Sequence, residues 1–238
     1  IETYRACPLK YKFARVLRIP QEPTINQRFG IVIHQVLERF HQDNDPSLPS
    51  RPARPRSLQE LLGLLETSWR RAGFGTSTDE EVQLWHKAET ALRSYHARFH
   101  AEDVEPVWFE RSFKFLLGRH TLRGRVDRVD RLTDGTYELI DYKTGRPKTE
   151  EQQRDDIQLT LYALAAERAW GLPSSRQSYM YVLDDQKVPL PGGDVDPDRI
   201  GETVLEVDRP GGRRDCPHGG RERLPWVGSS SGREEVQC

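Results

Sequence analysis

Only three cysteines, Cys7, Cys216 and Cys238, occur in the 238 residues. A sparse, odd count argues against a disulfide framework and fits a reducing cytoplasm. Long apolar runs are missing as well. The longest, such as Ile31 to Ile33 and Leu161 to Ala166, fall far short of a bilayer span, so no membrane association is expected. No basic region followed by an apolar stretch opens the chain, and no signal peptide is expected. The first residue is Ile1 rather than Met, as in a piece of a longer product. A phosphate-binding Gly-x-x-x-x-Gly-Lys-Ser/Thr loop, a serine-hydrolase elbow and zinc-ligand spacing are all lacking, which argues against an NTPase, a serine hydrolase or a zinc enzyme. Net charge is −1, too small for a whole-chain signature of nucleic-acid binding. Local charge differs: residues 1–40 carry seven basic side chains against three acidic ones. That excess suits either phosphates or a solvated helical face.

Hydrophobic residues make up 35% and charged residues 31%, a modest core under a well-solvated surface. Spacing predicts a helix over residues 2–18, interrupted near Pro8, and a second from about Asn26 to Gln42, with Phe29, Ile33, Val36, Leu37 and Phe40 on one face. Four prolines mark 43–57 as a loop, and helices follow at about 57–72 and 79–101. The period then shortens to that of strands at 107–117, 121–131 and 136–143. Helical spacing returns over 151–170, stopped by Gly171-Leu172-Pro173, and a short apolar run at 178–183 reads as a further strand. Helices before and after a set of strands imply an α/β layer structure. The last 32 residues, 207–238, hold six glycines and six arginines and few large apolar side chains, so a poorly ordered tail is expected. A shifted reading frame near residue 207 would give the same abrupt change.

The informative stretch runs from Leu122 to Gly145. Asp134-Gly135 between two strand-like runs signals a hairpin. A two-residue loop would put Asp127 opposite Tyr142, on the wrong face from Asp141. A three-residue loop, Thr133 to Gly135, pairs Leu132 with Thr136, sets Asp127 opposite Asp141 and Arg125 opposite Lys143, and gives Gly135 the left-handed position. Asp141 and Lys143, two apart on a strand, share a face. Facing carboxylates repel unless a cation sits between them, and hard oxygen ligands favour Mg²⁺ or Mn²⁺. Lys143 would then orient a water or offset charge on a phosphoryl group. The plainer reading is a cross-strand ion cluster decorating a sheet. The second carboxylate in register and the Thr-Gly turn after Lys143 favour function.

Gly124-Arg-Val-Asp-Arg-Val-Asp130, then Ile140-Asp-Tyr-Lys-Thr-Gly145, then Gln158-Leu-Thr-Leu-Tyr162 resemble the RecB/AddB branch of the PD-(D/E)XK nucleases. The resemblance covers about residues 2–206 and implies a nuclease domain with a helical part (about 1–105) and a sheet core (about 106–206). The implied fold is a restriction-endonuclease-like central mixed β-sheet flanked by helices. Members often end UvrD-like helicases that process DNA ends, so the resemblance implies a metal-dependent exonuclease on single-stranded DNA, partnered by a helicase portion or subunit. By it, Asp127 and Asp141 are metal-binding carboxylates, Lys143 is the catalytic lysine, and the Tyr142 carbonyl completes the metal shell. Gln158 and Tyr162 match the branch's Gln-x-x-x-Tyr motif, and residues four apart on a helix share a face. His34, in a Gly-x-x-x-His context, becomes a third metal ligand, although a histidine on an apolar helix is ordinarily a satisfied core residue. His41, seven residues on, is expected to be an exposed neighbour. Glu110 suits equally a strand-surface charge and a place beside the site.

Some relatives hold an iron–sulfur cluster through one early cysteine and three late ones. Cys7 stands at the first position, but only Cys216 and Cys238 follow, so no cluster is expected. The alternative to an enzyme is a catalytically silent DNA-binding or scaffolding module on the same fold. The retention of Asp127, Asp141 and Lys143 counts against it.

Overall fold

The computed structural model describes residues 7–41, 56–75, 78–102, 104–118, 120–154, 157–172, 174–190 and 235–237. They form two compact units. One comprises residues 1–22, 113–124 and 194–238, the other residues 23–112 and 125–193.

The larger unit carries three long helices ahead of the sheet. Helix α2 (Ile25–His41) buries Phe29, Ile33, Val36, Leu37 and Phe40, the face expected from their spacing, and Val32 as well. Helix α3 (Leu58–Arg71) starts at a capping box: the Ser57 hydroxyl accepts the Glu60 N–H, and the Glu60 carboxylate accepts the Ser57 N–H at 2.8 Å. These contacts satisfy backbone donors that a helix start leaves unpaired. Helix α4 (Asp79–Ala101) is capped by Thr78, and Asp79, Glu80 and Glu81 in its first turn complement the helix dipole. Buried side chains of these three helices form one cluster with Ile140, Tyr142, Met180 and Val182 of the sheet region.

The sheet runs in the order β1 (Glu105–Leu117), β2 (His120–Arg131), β3 (Tyr137–Lys143), β4 (Ser174–Tyr181), β5 (Gln186–Pro189). It is mixed, because β2–β3 and β4–β5 are antiparallel whereas β3–β4 is parallel. A parallel pair needs a crossover, supplied here by α5 (Glu150–Arg154) and α6 (Ile157–Trp170). Helix α6 packs on β3 and β4 and buries Leu159 and Leu161 through Ala166. The helix expected over 151–170 is therefore described as two pieces. Its strand partner begins at Ser174 rather than 178 and is followed by β5, which had not been anticipated.

The β2–β3 hairpin has the three-residue loop. Arg128 pairs with Ile140 and Arg131 with Tyr137, the Leu132 N–H donates to the Thr136 carbonyl at 2.8 Å, and Gly135 takes φ +82°. Only a residue without a Cβ adopts that backbone at no steric cost. The Asp134 carboxylate accepts the Thr136 N–H at 2.9 Å and fixes the turn further.

In the smaller unit, a short helix α1 (Pro8–Tyr11) continues as a π-helical turn, Lys12–Val16. Residues 2–6 of the expected first helix lie outside the described residues. Cys7 is disulfide-bonded, which departs from an expectation of reduced thiols; the other two cysteines lie outside the described residues. A Cβ at Gly124 would stand 2.4 Å from the Phe113 ring, which would have to move to admit one. Most of the tail expected over 207–238 is also outside the described residues. Residues 235–237 form β6, which pairs in parallel with β2, where no strand was expected.

Candidate metal centre

Every candidate site residue belongs to the larger unit. Continuing the β2–β3 register beyond Arg128 sets Asp127 across from Asp141, and the Asp127 carboxylate accepts the Tyr142 N–H at 2.8 Å. Both aspartates are buried. Burial first, and then the Asp141 and Glu110 carboxylates, hold the Asp127 pKa well above the usual carboxylate range.

Asp141 is gripped from α6 and from its own strand. Its Oδ1 accepts from Gln158 Nε2 at 2.9 Å and from the Tyr162 hydroxyl at 3.1 Å. Its Oδ2 forms an ion pair with Lys143 Nζ at 2.7 Å. Lys143 Nζ in turn donates to Gln158 Oε1 at 2.8 Å and lies 5.1 Å from the Tyr179 ring centre. The Gln158 amide therefore bridges the carboxylate and the ammonium, with Tyr162 one helical turn on. Burial, then the Asp141 and Asp127 charges, push the Tyr162 phenol upward, which keeps it a proton donor.

His34 reaches Asp127 from α2, with Nδ1 3.6 Å from Oδ2. Gly30, one turn earlier, allows that approach: a Cβ there would stand 3.1 Å from the Thr144 hydroxyl just after β3. Burial lowers the His34 pKa, favouring the neutral imidazole that binds metals. His41 is corrected from an exposed neighbour to a core residue. Its ring stacks on Phe109 at 4.0 Å, and Nε2 lies 2.6 Å from the Tyr95 hydroxyl. The expectation failed because the C-terminal end of α2 is covered by α4 and β1, and Tyr95 supplies the polar partner that burial demands.

Tyr142 lies between Asp141 and Lys143 but turns its side chain toward the helices, where its hydroxyl meets that of Tyr95 at 2.6 Å. Only its backbone is left to serve the site.

Glu110 resolves in favour of a place beside the site. His34, Glu110 and Asp127 each offer an atom within 4.8 Å of the others, a spacing able to hold a metal ion. Glu110 has φ +49°, a left-handed conformation inside a strand, and ion-pairs with Arg125 at 2.7 Å. Burial, outweighing Arg125, raises its pKa to about 7. No residue pattern marks a reversed backbone at a glutamate, so the sequence offered only its neighbourhood to Phe109 and Phe113. The Glu110 and Asp127 carboxylates and the neutral imidazole of His34 fit a hard divalent cation.

That fit has a pH signature. Glu110, raised in the folded state, contributes stability below the ordinary carboxylate pKa and loses that contribution as pH rises through about 7. Cation binding needs the deprotonated form, so Mn²⁺ is expected to raise the melting temperature more at about pH 8 than at about pH 6. Glu110→Gln flattens that dependence. An equal increment at both pH values in the wild type would contradict the assignment.

A mixed sheet between helices, with an Asp–Asp–Lys set on a hairpin, defines a restriction-endonuclease-like fold. The sequence model of the PD-(D/E)XK nuclease superfamily matches residues 1–215, and the chain belongs to that superfamily. Membership implies a nuclease, a hydrolase of phosphodiester bonds, with divalent metal ions typical of such enzymes. The chain is also similar to the Gene 69 protein of Mycobacterium phage D29, 27% identical over 218 residues that cover 80% of this chain and 76% of the phage protein. Among the described residues, no helix is long and apolar enough to cross a membrane.

Proposed function

We propose that residues 1–206 form a RecB/AddB-like exonuclease domain that degrades single-stranded DNA from an end. In this reading it acts in the cytoplasm beside a UvrD-like helicase portion or subunit in DNA end processing. The observation that carries the reading is the hairpin register, which faces Asp127 toward Asp141 while Gln158 joins Asp141 to Lys143. His34 and Asp127, which cluster with Glu110, would hold Mg²⁺ or Mn²⁺ together with Asp141 and the Tyr142 carbonyl. A bound cation of this class polarises the phosphoryl oxygen and lowers the pKa of a bound water. Lys143, fixed by Gln158 and Asp141, orients the attacking water and offsets charge on the phosphoryl group. Tyr162 donates to Asp141 and holds it in place.

End dependence separates this reading from internal cutting. Linear single-stranded DNA is expected to be degraded with Mn²⁺ while a closed single-stranded circle of the same sequence survives. Linearised circles would make the protein an endonuclease. Retention of both substrates by a folded protein would favour the silent binding module.

A further inference from the structure

We infer that Arg125 is a substrate-phosphate ligand of this site, held in reserve by Glu110 until Glu110 turns to a cation; the inference rests on the nuclease reading above. Arg125 lies two residues before Asp127 on β2, so the two share a face of the strand. Continued past its last pair, the β2–β3 register sets Arg125 across from Lys143. The two cations thus form the next cross-strand pair beside the carboxylates. Their situations differ. Lys143 is engaged by Asp141 and Gln158. The Arg125 side chain is 55% exposed, and its ion pair among the described residues is with Glu110, through Nε at 2.7 Å.

Glu110 is the shared element. Its side chain is only 10% exposed, and its carboxylate stands both against Arg125 and within the cluster with His34 and Asp127. The left-handed backbone at Glu110 aims it there at a conformational cost, and such strain persists only where the surroundings enforce it. A carboxylate that commits to a cation gives up much of its charge to that ion and weakens its hold on a guanidinium. Arg125 then presents a planar fork of donors, the geometry that matches a phosphate, at the solvent-facing edge of the metal cluster. DNA grip and metal loading are thereby coupled through one side chain.

The test measures binding of a fluorescein-labelled oligothymidylate as a function of salt, with Ca²⁺ or with EDTA, for the wild type, Arg125→Ala, Arg125→Lys and Glu110→Gln. One lost phosphate contact on a single strand lowers the salt slope by about 0.7. With Ca²⁺, Arg125→Ala is expected to bind about tenfold more weakly and to show that shallower slope. In EDTA it is expected to match the wild type, because Arg125 is then tied to Glu110. Arg125→Lys retains the slope and loses part of the affinity. In EDTA, Glu110→Gln is expected to bind more tightly than the wild type, and adding Arg125→Ala removes that gain. Equal slopes for wild type and Arg125→Ala in Ca²⁺ would overturn the inference, as would an equal loss with and without Ca²⁺. A wild type that binds the oligonucleotide but never cuts it with Mn²⁺ would remove the nuclease reading while leaving this comparison intact.

Discussion

Lys143→Ala is expected to lower metal-dependent DNA cleavage by about 10²–10⁴-fold while leaving Mn²⁺ binding close to that of the wild type. The ammonium touches Asp141 and Gln158 but is itself no ligand, so its loss removes a positive charge from beside the reacting phosphate, while Asp141 keeps its bonds from Gln158 and Tyr162. Lys143→Arg is not expected to rescue the rate, because a guanidinium fork cannot replace a compact ammonium between Asp141 Oδ2 and Gln158 Oε1. Rates at saturating metal, with metal affinity from a titration of the same preparations, separate the two effects. A variant that cuts within a fewfold of the wild type would remove Lys143 from the chemistry. One that loses both cutting and Mn²⁺ would make it a structural counter-ion of the carboxylates.

The second large effect lies on the opposite face of the same strand. Arg128 and Asp130 are buried against the helices, with Nε donating to Asp130 Oδ1 at 2.7 Å and Nη2 to Glu102 at 3.2 Å. The guanidinium also stands 4.8 Å from the centre of the Phe99 ring and 3.5 Å from the Tyr95 hydroxyl. Breaking a buried pair by removing one member leaves the other charge uncompensated, at a cost of about 3–5 kcal/mol. Arg128→Ala is therefore expected to lower the unfolding free energy by that amount, read as a fall in denaturant midpoint at unchanged slope. The double variant Arg128→Met/Asp130→Leu, which removes both charges and keeps volume, is expected to recover part of the loss. A single variant within about 1 kcal/mol of the wild type would show that water reaches the pair and screens it.

Much of this architecture was legible in the residues. Helices α2, α3 and α4 follow apolar positions at helical spacing, and the hairpin register follows from Asp134-Gly135 and the need to gather two aspartates on one face. What escaped depends on contacts between elements. Gly-Arg-Val-Asp-Arg-Val-Asp puts charged side chains on both faces of β2, and residues 126–130 are buried on both. Arg128 and Asp130 neutralise each other inside rather than facing water. His41 was misjudged for the same reason: two turns along a helix says nothing of whether Phe109 and Tyr95 wait there. Glu110 turns toward the site through a backbone of positive φ that no residue type announces. Strand β5 is a four-residue run, too short to show a period, and exists because β4 offers it a neighbour.

Incubation of the folded chain with end-labelled single-stranded DNA and Mn²⁺ or Mg²⁺, beside EDTA, tests the central claim most directly. The account predicts shortening of the labelled strand that requires the cation, stops in EDTA and is lost in Asp127→Asn and Asp141→Asn. DNA left intact by a protein that melts cooperatively and binds Mn²⁺, or cutting that persists in both aspartate variants, would contradict it.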